Sequence, residues 1–566
     1  MIMIKHALGC AGAFLATVVA QTGQASPPDI TIRATTRLVE ITVVAQGKHG
    51  VPVRGLLREN FKVFDEGKPQ QISFFSLTTH GGAVAVGESP VAGWPATSDA
   101  PVFSNRGEAL SGPGATTVIL IDPFNTGWAD RIYAKQAVIA FLRQIRPEDR
   151  VGIDLVRPGY LQVLYDLTRD SSELVKRLAA WKPDAEGTAS HTGAISGSEL
   201  MQEVMSDLVH GNSAAGNDAG LQRLAGTARP QHRSAPDTRG QITLRLFAAI
   251  ANRVAAIPGR KNLIWVSSGF PISAESGDYD KMLDTMRVLN SANVALYAVD
   301  ARGLVTLQAD ATVRPPSDRR TGARTIDPLW LQKVGRTDNR VLERTQGPML
   351  EMSALTGGRA FLNTNDIQGA IRTAAEEASV TYTLGFYPAS PQHDGRFHRV
   401  EVKVAGRPDV SVRYRKGYVD APDPANDPPG RTAAIRDAAW SPLDATAVAL
   451  SAEVVPANGT DRYDVRLRID PRTLDIQQER DLFNGRVDVV LVQEDHEGGQ
   501  YDQVLDTLVL ALRPDTYRQA LADGLAYSHA LQPNPKANEL RVIVRDAFSG
   551  NIGSLTIPFK AFRSQQ

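Results

Sequence analysis

Two periodicities divide the chain. From Asp29 to Leu77, apolar and polar positions alternate through "ITIRATTRLVEITVVAQ" and "NFKVFDEGKPQQISFFSL", the period of two expected of strands with one buried face. "GKHGVPVRGL" and "DEGKP" supply the turns between them. Four short strands make a thin domain by themselves, so the β module at 28–79 needs strands from elsewhere. From Thr116 the texture changes. Near-continuous apolar runs, "TVILID", "RVGIDLV", "NLIWVSS" and "VALYAVD", alternate with helical patterns such as "RIYAKQAVIAFLRQI", where Val138, Phe141, Leu142 and Ile145 recur at helical spacing. Strands apolar on both faces and separated by amphipathic helices predict a parallel sheet covered on both sides.

The predicted architecture is therefore multidomain, α/β plus all-β, with a doubly wound, Rossmann-like parallel-sheet domain at 115–379. Two insertions interrupt it, at 183–240 and 302–346. The second carries Arg314, Arg319, Arg320, Arg324, Arg336, Arg340 and Arg344 and follows a strand's carboxyl end, where open α/β sheets bind ligands. A specificity surface and a solvated loop are both open readings of it. After the last helix, "TYTLGFYPAS", "FHRVEVKVAG" and "VSVRYRKGYV" return to β. Residues 380–419 are expected to complete the N-terminal module as a β-sandwich into which the α/β domain is inserted. Gly, Pro, Ala and Ser without periodicity mark 80–114 as a linker, and "DAPDPANDPPG" marks a Pro-rich one at 420–435. Beyond it, 436–566 reads as a C-terminal β-sandwich.

Composition narrows the function little, except at the N-terminus. The 566 residues include 62 basic and 62 acidic side chains, so no global field favours nucleic acid or an anionic membrane. Lys5 and His6 precede the short apolar run "ALGCAGAFLATVVA", followed by Gly23 and Ala25 at cleavage-site spacing. This predicts a signal peptide at 1–25 and an exported protein, periplasmic or extracellular, with no transmembrane segment once the signal is removed. The alternative is an uncleaved anchor. Cys10 is the only cysteine, so a mature chain beginning near Ser26 has no disulfides and no thiolate chemistry.

The segments "VPVRGLLRENFKVFDEGKPQQISFF", "ILIDPFNT", "RPEDRVGIDLV", "GRKNLIWVSSGFP", "LYAVDARGL", "TGGRAF", "NTNDIQGAI" and "YTLGFYP…DGRFHRVEVKV…VRYRKGY" occur in order over residues 30–420. Together they resemble von Willebrand factor type A (VWA) proteins of the acidobacterial branch. The resemblance implies a protein-binding domain. In many such domains an Asp-x-Ser-x-Ser sequence, a Thr from a Gly-Thr loop and a second Asp hold a Mg²⁺ that accepts a partner's carboxylate. Carried over, Asp122 matches the first Asp, Thr126 the last hydroxyl and Thr188 the Gly-Thr loop. Phe124 stands in place of the first Ser, and Ser268 in place of the second acidic residue. This degenerate metal-ion-dependent adhesion site keeps one firm anionic ligand. Asn125 and Asp130 are the nearby groups able to supply a replacement oxygen. Two readings follow: Asp122, Thr126 and Thr188 hold Mg²⁺ or another divalent cation weakly, or Asp122 caps the following turn and the Asn/Thr pair organises the loop.

Enzyme chemistry finds less support. Ser267 and Ser268 end a strand, but no Gly-x-Ser-x-Gly elbow surrounds them, and no dinucleotide or phosphate-binding loop is present. Asp300 ends another strand and is expected to fix the Arg302 loop. The expected function is adhesion-type recognition of a protein ligand at the carboxyl edge of the parallel sheet, around Asp122, Asn125, Thr126, Thr188 and Ser268. The alternatives are a structural component of the cell envelope acting through its sandwiches, and a hydrolase with an unrecognised site.

Overall fold

The computed structural model describes residues 38–79, 101–106, 114–157, 160–183, 234–270, 278–304, 345–388, 396–420, 428–457, 462–495 and 499–563. The proposed signal peptide, Thr188 and most of both insertions lie outside the described residues.

A six-stranded sheet forms the centre. Its order is Ala360–Phe361, Val294–Asp300, Lys261–Ser267, Thr116–Ile121, Arg150–Arg157 and Tyr160–Thr168. All neighbours are parallel except the last pair. Every residue of Thr116–Ile121 is buried because helices cover both faces. Val118, Leu120, Leu263, Trp265 and Leu296 pack towards Ser234–Val254 and Asp278–Ser291. Ile119, Ile121, Ile264, Val266 and Val299 face Trp128–Leu142, Ser171–Ala180 and Ile367–Glu376. The antiparallel edge strand Tyr160–Thr168 is an addition to the sequence expectation. Its "YLQVLYDL" alternates as an edge strand should, but the run beside the stronger "RVGIDLV" hides it.

Strands from both sides of this domain interleave in the N-terminal sandwich. One sheet runs Ser411–Arg413, Val39–Gln46, Val380–Phe386, Ile72–Thr79, and the other Gly417–Val419, Phe397–Val404, Phe61–Asp65, Lys68–Gln70. Ile41, Val43, Phe61, Val63, Tyr382, Leu384, Val400 and Val402 fill the space between. The sandwich sits at the amino ends of the parallel strands. There Thr42 Oγ1 donates to Asn293 Oδ1 at 2.9 Å, and Arg413 pairs with the buried Glu377.

The C-terminal body corrects both linker assignments. Within 80–114, Val102–Ser104 pairs antiparallel with Leu450–Pro456. The buried Asn105 then donates to the carbonyls of Ala445 and Val448, each at 2.7 Å, and accepts from Leu450 N at 2.9 Å. Three residues are too few to show a period, and the partner is more than 300 positions away. Within 420–435, Pro428–Trp440 is a helix. Its prolines stand in the first turn, where a missing N–H removes no helical bond. Ile435, Ala438 and Ala439 pack on Val490, Val492, Ile543 and Ile552, so the C-terminal body begins at 428 rather than 436. The 183–240 insertion likewise ends early, since helix Ser234–Val254 starts inside it.

This body docks at the far end of helix Ser234–Val254. Thr446 Oγ1 donates to Arg253 O at 2.9 Å, and Ala256 N donates to Thr446 Oγ1 at 3.0 Å. Trp440 and Leu443 join the α/β core.

Lys261 marks the same amino end. It is 3% exposed, and its Nζ donates to Ile257 O at 2.7 Å. Burial brings its pKa down to about 7. Between that value and the ordinary lysine range, the folded chain binds fewer protons than the unfolded one, so stability rises with pH across the window. In Lys261→Met this increment should vanish. The Tm difference between variant and wild type is expected to be greatest near neutrality and to shrink towards pH 10. Parallel Tm curves for the two proteins would contradict it.

Candidate functional site

The opening aspartate lies where Thr116–Ile121 ends. Its backbone N–H still bonds to Val266 O at 2.9 Å, which holds the following loop against the sheet. Asp122 is completely buried, and its carboxylate is surrounded by donors. Oδ1 accepts from Asn125 N at 3.0 Å. Oδ2 accepts from Asn125 Nδ2 at 2.8 Å, Trp265 Nε1 at 3.0 Å and Ser267 Oγ at 3.0 Å. Desolvation pushes its pKa up, while the bonds from Asn125, Trp265 and Ser267 oppose that shift.

The rest of the loop is fastened in the same way. Asn125 Nδ2 also donates to Thr243 Oγ1 at 3.2 Å on helix Ser234–Val254. Its buried Oδ1 has no hydrogen-bond partner among the described residues. Thr126 is buried, its Oγ1 accepting from Ser268 N at 3.1 Å and its carbonyl from Arg131 Nε at 2.7 Å. Phe124 lies beneath the Arg239 guanidinium, 5.5 Å from ring centroid to Cζ, and packs against the core. Ser268 Oγ donates to Asp130 Oδ2 at 3.1 Å. Asp130 is half-buried, and desolvation raises its pKa, with the Asp300 charge adding to the effect.

Asp300 is buried and held by Arg302. Nε and Nη2 of the arginine reach Oδ1 and Oδ2 at 2.9 and 2.7 Å, and Gln346 Nε2 adds a bond of 2.8 Å to Oδ2. This aspartate therefore fixes the Arg302 loop.

Among the described residues, the donor set does not fit Mg²⁺. A hard divalent cation requires several open oxygens in near-octahedral array. Here three donors already occupy Asp122 Oδ2, a backbone N–H occupies Asp122 Oδ1, and another occupies Thr126 Oγ1. Phe124 offers only carbon. Of the expected edge residues, Asp122, Asn125, Thr126 and Ser268 are brought together, but as a hydrogen-bonded loop anchor; Thr188 lies outside the description. Sequence reasoning missed Trp265 and Ser267 as partners of Asp122. Their spacing was a usable signal, because residues two apart on a strand share a face.

No family model matches the chain, and no curated protein does. Among solved structures, the chain is similar to the VWA domain of SpRpn10, with 17% sequence identity, 33% of this chain and 74% of that chain covered, and a TM-score of 0.17. Among the described residues, no helix is long and apolar enough to cross a membrane.

Proposed function

We propose that this chain is an exported, non-enzymatic protein-recognition protein. Its α/β domain is of the VWA type and captures a protein partner at the carboxyl edge of the parallel sheet, without a metal bridge. One observation carries the reading. The N-terminal sandwich occupies the amino ends of the strands and the C-terminal body docks on the far end of helix Ser234–Val254. Among the described residues, both bodies leave the carboxyl edge uncovered, and it displays large apolar side chains. Trp128 is 48% exposed and Leu304 59%; Ile132 and Tyr133 are exposed beside Trp128. Aromatic and aliphatic anchors on a rigid, hydrogen-bonded platform are the usual centre of a protein interface.

A second reading, assembly through the sandwiches, is favoured by one feature. Among the described residues, strand Gln500–Leu512 pairs only with Leu482–Glu494 and exposes Val509 at 77%, an edge suited to strand addition. Crosslinked capture from an envelope extract by the full chain separates the two. Edge capture predicts that Trp128→Glu/Ile132→Glu abolishes it and Leu505→Asp/Val509→Asp leaves it unchanged. The opposite pattern assigns the contact to the C-terminal sheet.

A further inference from the structure

We infer that the chain forms a two-fold dimer in which the edge strands Gln500–Leu512 and Leu525–Leu531 of the C-terminal body each pair antiparallel with their own copies, about an axis through Thr507 and Ser528. This goes beyond the carboxyl-edge reading and does not rest on it. Among the described residues, Gln500–Leu512 pairs only with Leu482–Glu494, and Leu525–Leu531 only with Tyr463–Ile469. They belong to opposite sheets, yet they lie on the same side of the sandwich. The Tyr527 hydroxyl donates to Asp506 Oδ2 at 2.6 Å, and His529 Nδ1 stands 3.9 Å from that oxygen. Ser528, between them, therefore lies across from the Asp506–Thr507 step. Neither strand contains Lys, Arg or Pro, residues that commonly block edge pairing.

The order of side chains along the two strands identifies the occupant as a second copy. In a two-fold antiparallel pair the axis is perpendicular to the sheet, so opposed residues face the same side and their numbers add to an even sum. A centre at Thr507 sets Leu505 of each copy opposite Val509 of the other. These are the strand's exposed large apolar residues, at 49% and 77%. On the inner face Asp506 meets Leu508 and Val504 meets Leu510, so no like charges are opposed. Moving the centre loses the match: at Asp506 the two aspartates collide, and at Leu508 the exposed Leu505 meets only Ala511. Leu525–Leu531 is symmetric in the same way. About Ser528, Leu525 meets Leu531, Ala526 meets Ala530 and Tyr527 meets His529, and the small exposed residues Ala526, Ser528 and Ala530 let the copies approach. Because the sheets of a sandwich stack face to face, one axis serves both strands. Two self-complementary centres lying one above the other fit a second copy by symmetry, and an unrelated partner strand requires neither.

The test is sedimentation velocity of the full chain, carrying Cys10→Ser to remove its native thiol, together with oxidative crosslinking of introduced cysteines. The expected species is a dimer. Leu505→Asp/Val509→Asp opposes carboxylates across the junction and should weaken self-association roughly a hundredfold, with an unchanged circular dichroism spectrum because both positions are exposed. Directly opposed strand residues have Cα atoms about 5 Å apart, within disulfide reach. Ser528→Cys should therefore crosslink to its own copy, and so should Leu505→Cys/Val509→Cys. Val509→Cys alone should not, because the same residue of the other copy is displaced by about 14 Å along the strand. A chain that stays monomeric at every concentration overturns the inference, with the carboxyl edge still to be judged by the capture experiment. A dimer indifferent to Leu505→Asp/Val509→Asp, or one that crosslinks through Val509→Cys alone, has another interface or register and overturns it too. Species that keep growing as concentration rises would mean open-ended pairing in place of a closed two-fold axis, and also overturn it.

Discussion

Replacing Asp122 by alanine should lower the unfolding free energy by roughly 3–5 kcal/mol, the combined effect of several buried neutral donors losing an acceptor. The substitution removes little volume but strands the Trp265 indole N–H and the Asn125 backbone N–H, and takes one acceptor each from the Asn125 amide, which keeps Thr243 Oγ1, and the Ser267 hydroxyl, which keeps Gly269 O. A buried donor without an acceptor costs about 1–3 kcal/mol. The wild-type aspartate is itself desolvated, which raises its pKa and keeps the net loss below the simple sum of these losses. Asp122→Asn keeps one acceptor oxygen and turns an NH₂ towards some of the same donors, so it should fall between wild type and alanine. Urea denaturation measures all three. A loss below about 1 kcal/mol for alanine would show that the network is dispensable. Saturable stabilisation of the wild type by Mg²⁺, absent in Asp122→Ala, would show by linkage that the carboxylate serves an ion instead.

The second large effect lies in the C-terminal body. Asp488 is completely buried, and three side chains converge on it. Arg431 binds both oxygens, at 2.9 and 2.8 Å, Arg545 Nη1 reaches Oδ2 at 3.3 Å, and Thr507 Oγ1 donates to Oδ1 at 3.0 Å. Asp488→Ala leaves the buried Arg545 guanidinium, and the partly exposed Arg431 beside it, without their carboxylate and is expected to cost roughly 3–5 kcal/mol. The damage should also be directional. Arg431 belongs to helix Pro428–Trp440, so hydrogen exchange should show that helix opening before the strands around it. The triple change Asp488→Leu/Arg431→Met/Arg545→Met should recover most of the loss, since an apolar replacement of a whole buried ionic cluster is often neutral or stabilising. Unchanged helix protection in Asp488→Ala would mean that the apolar contacts of Ile435, Ala438 and Ala439 hold the helix without the ion pair.

These two aspartates show how differently sites become legible. Asp122 stands out in the sequence because a charged residue directly after a buried strand is unusual. Asp488 sits inside the apolar run "GRVDVVLVQED" with nothing nearby to name its partners. Arg431 was assigned to a linker, and the helix that carries it was hidden by the prolines that begin it. The edge aspartate Asp130 was visible only as a neighbour, and its bond to Ser268 depends on a loop 138 residues away.

The sequence by itself determined the local elements and their faces. Side-chain period along a backbone is a short-range property, and it reports which residues of a strand or helix are buried together. That is sufficient for a two-faced, mostly parallel sheet, for the strands of the sandwiches and for the placement of Asp122 at a strand end. The tertiary structure alone decided what those positions do. It brought Trp265 and Ser267 onto Asp122 across 143 and 145 residues and added Val102–Ser104 to a sheet in the C-terminal body. It also placed both sandwiches away from the carboxyl edge. Hydrogen bonding between distant segments depends on where folded surfaces meet, and no local periodicity encodes that meeting.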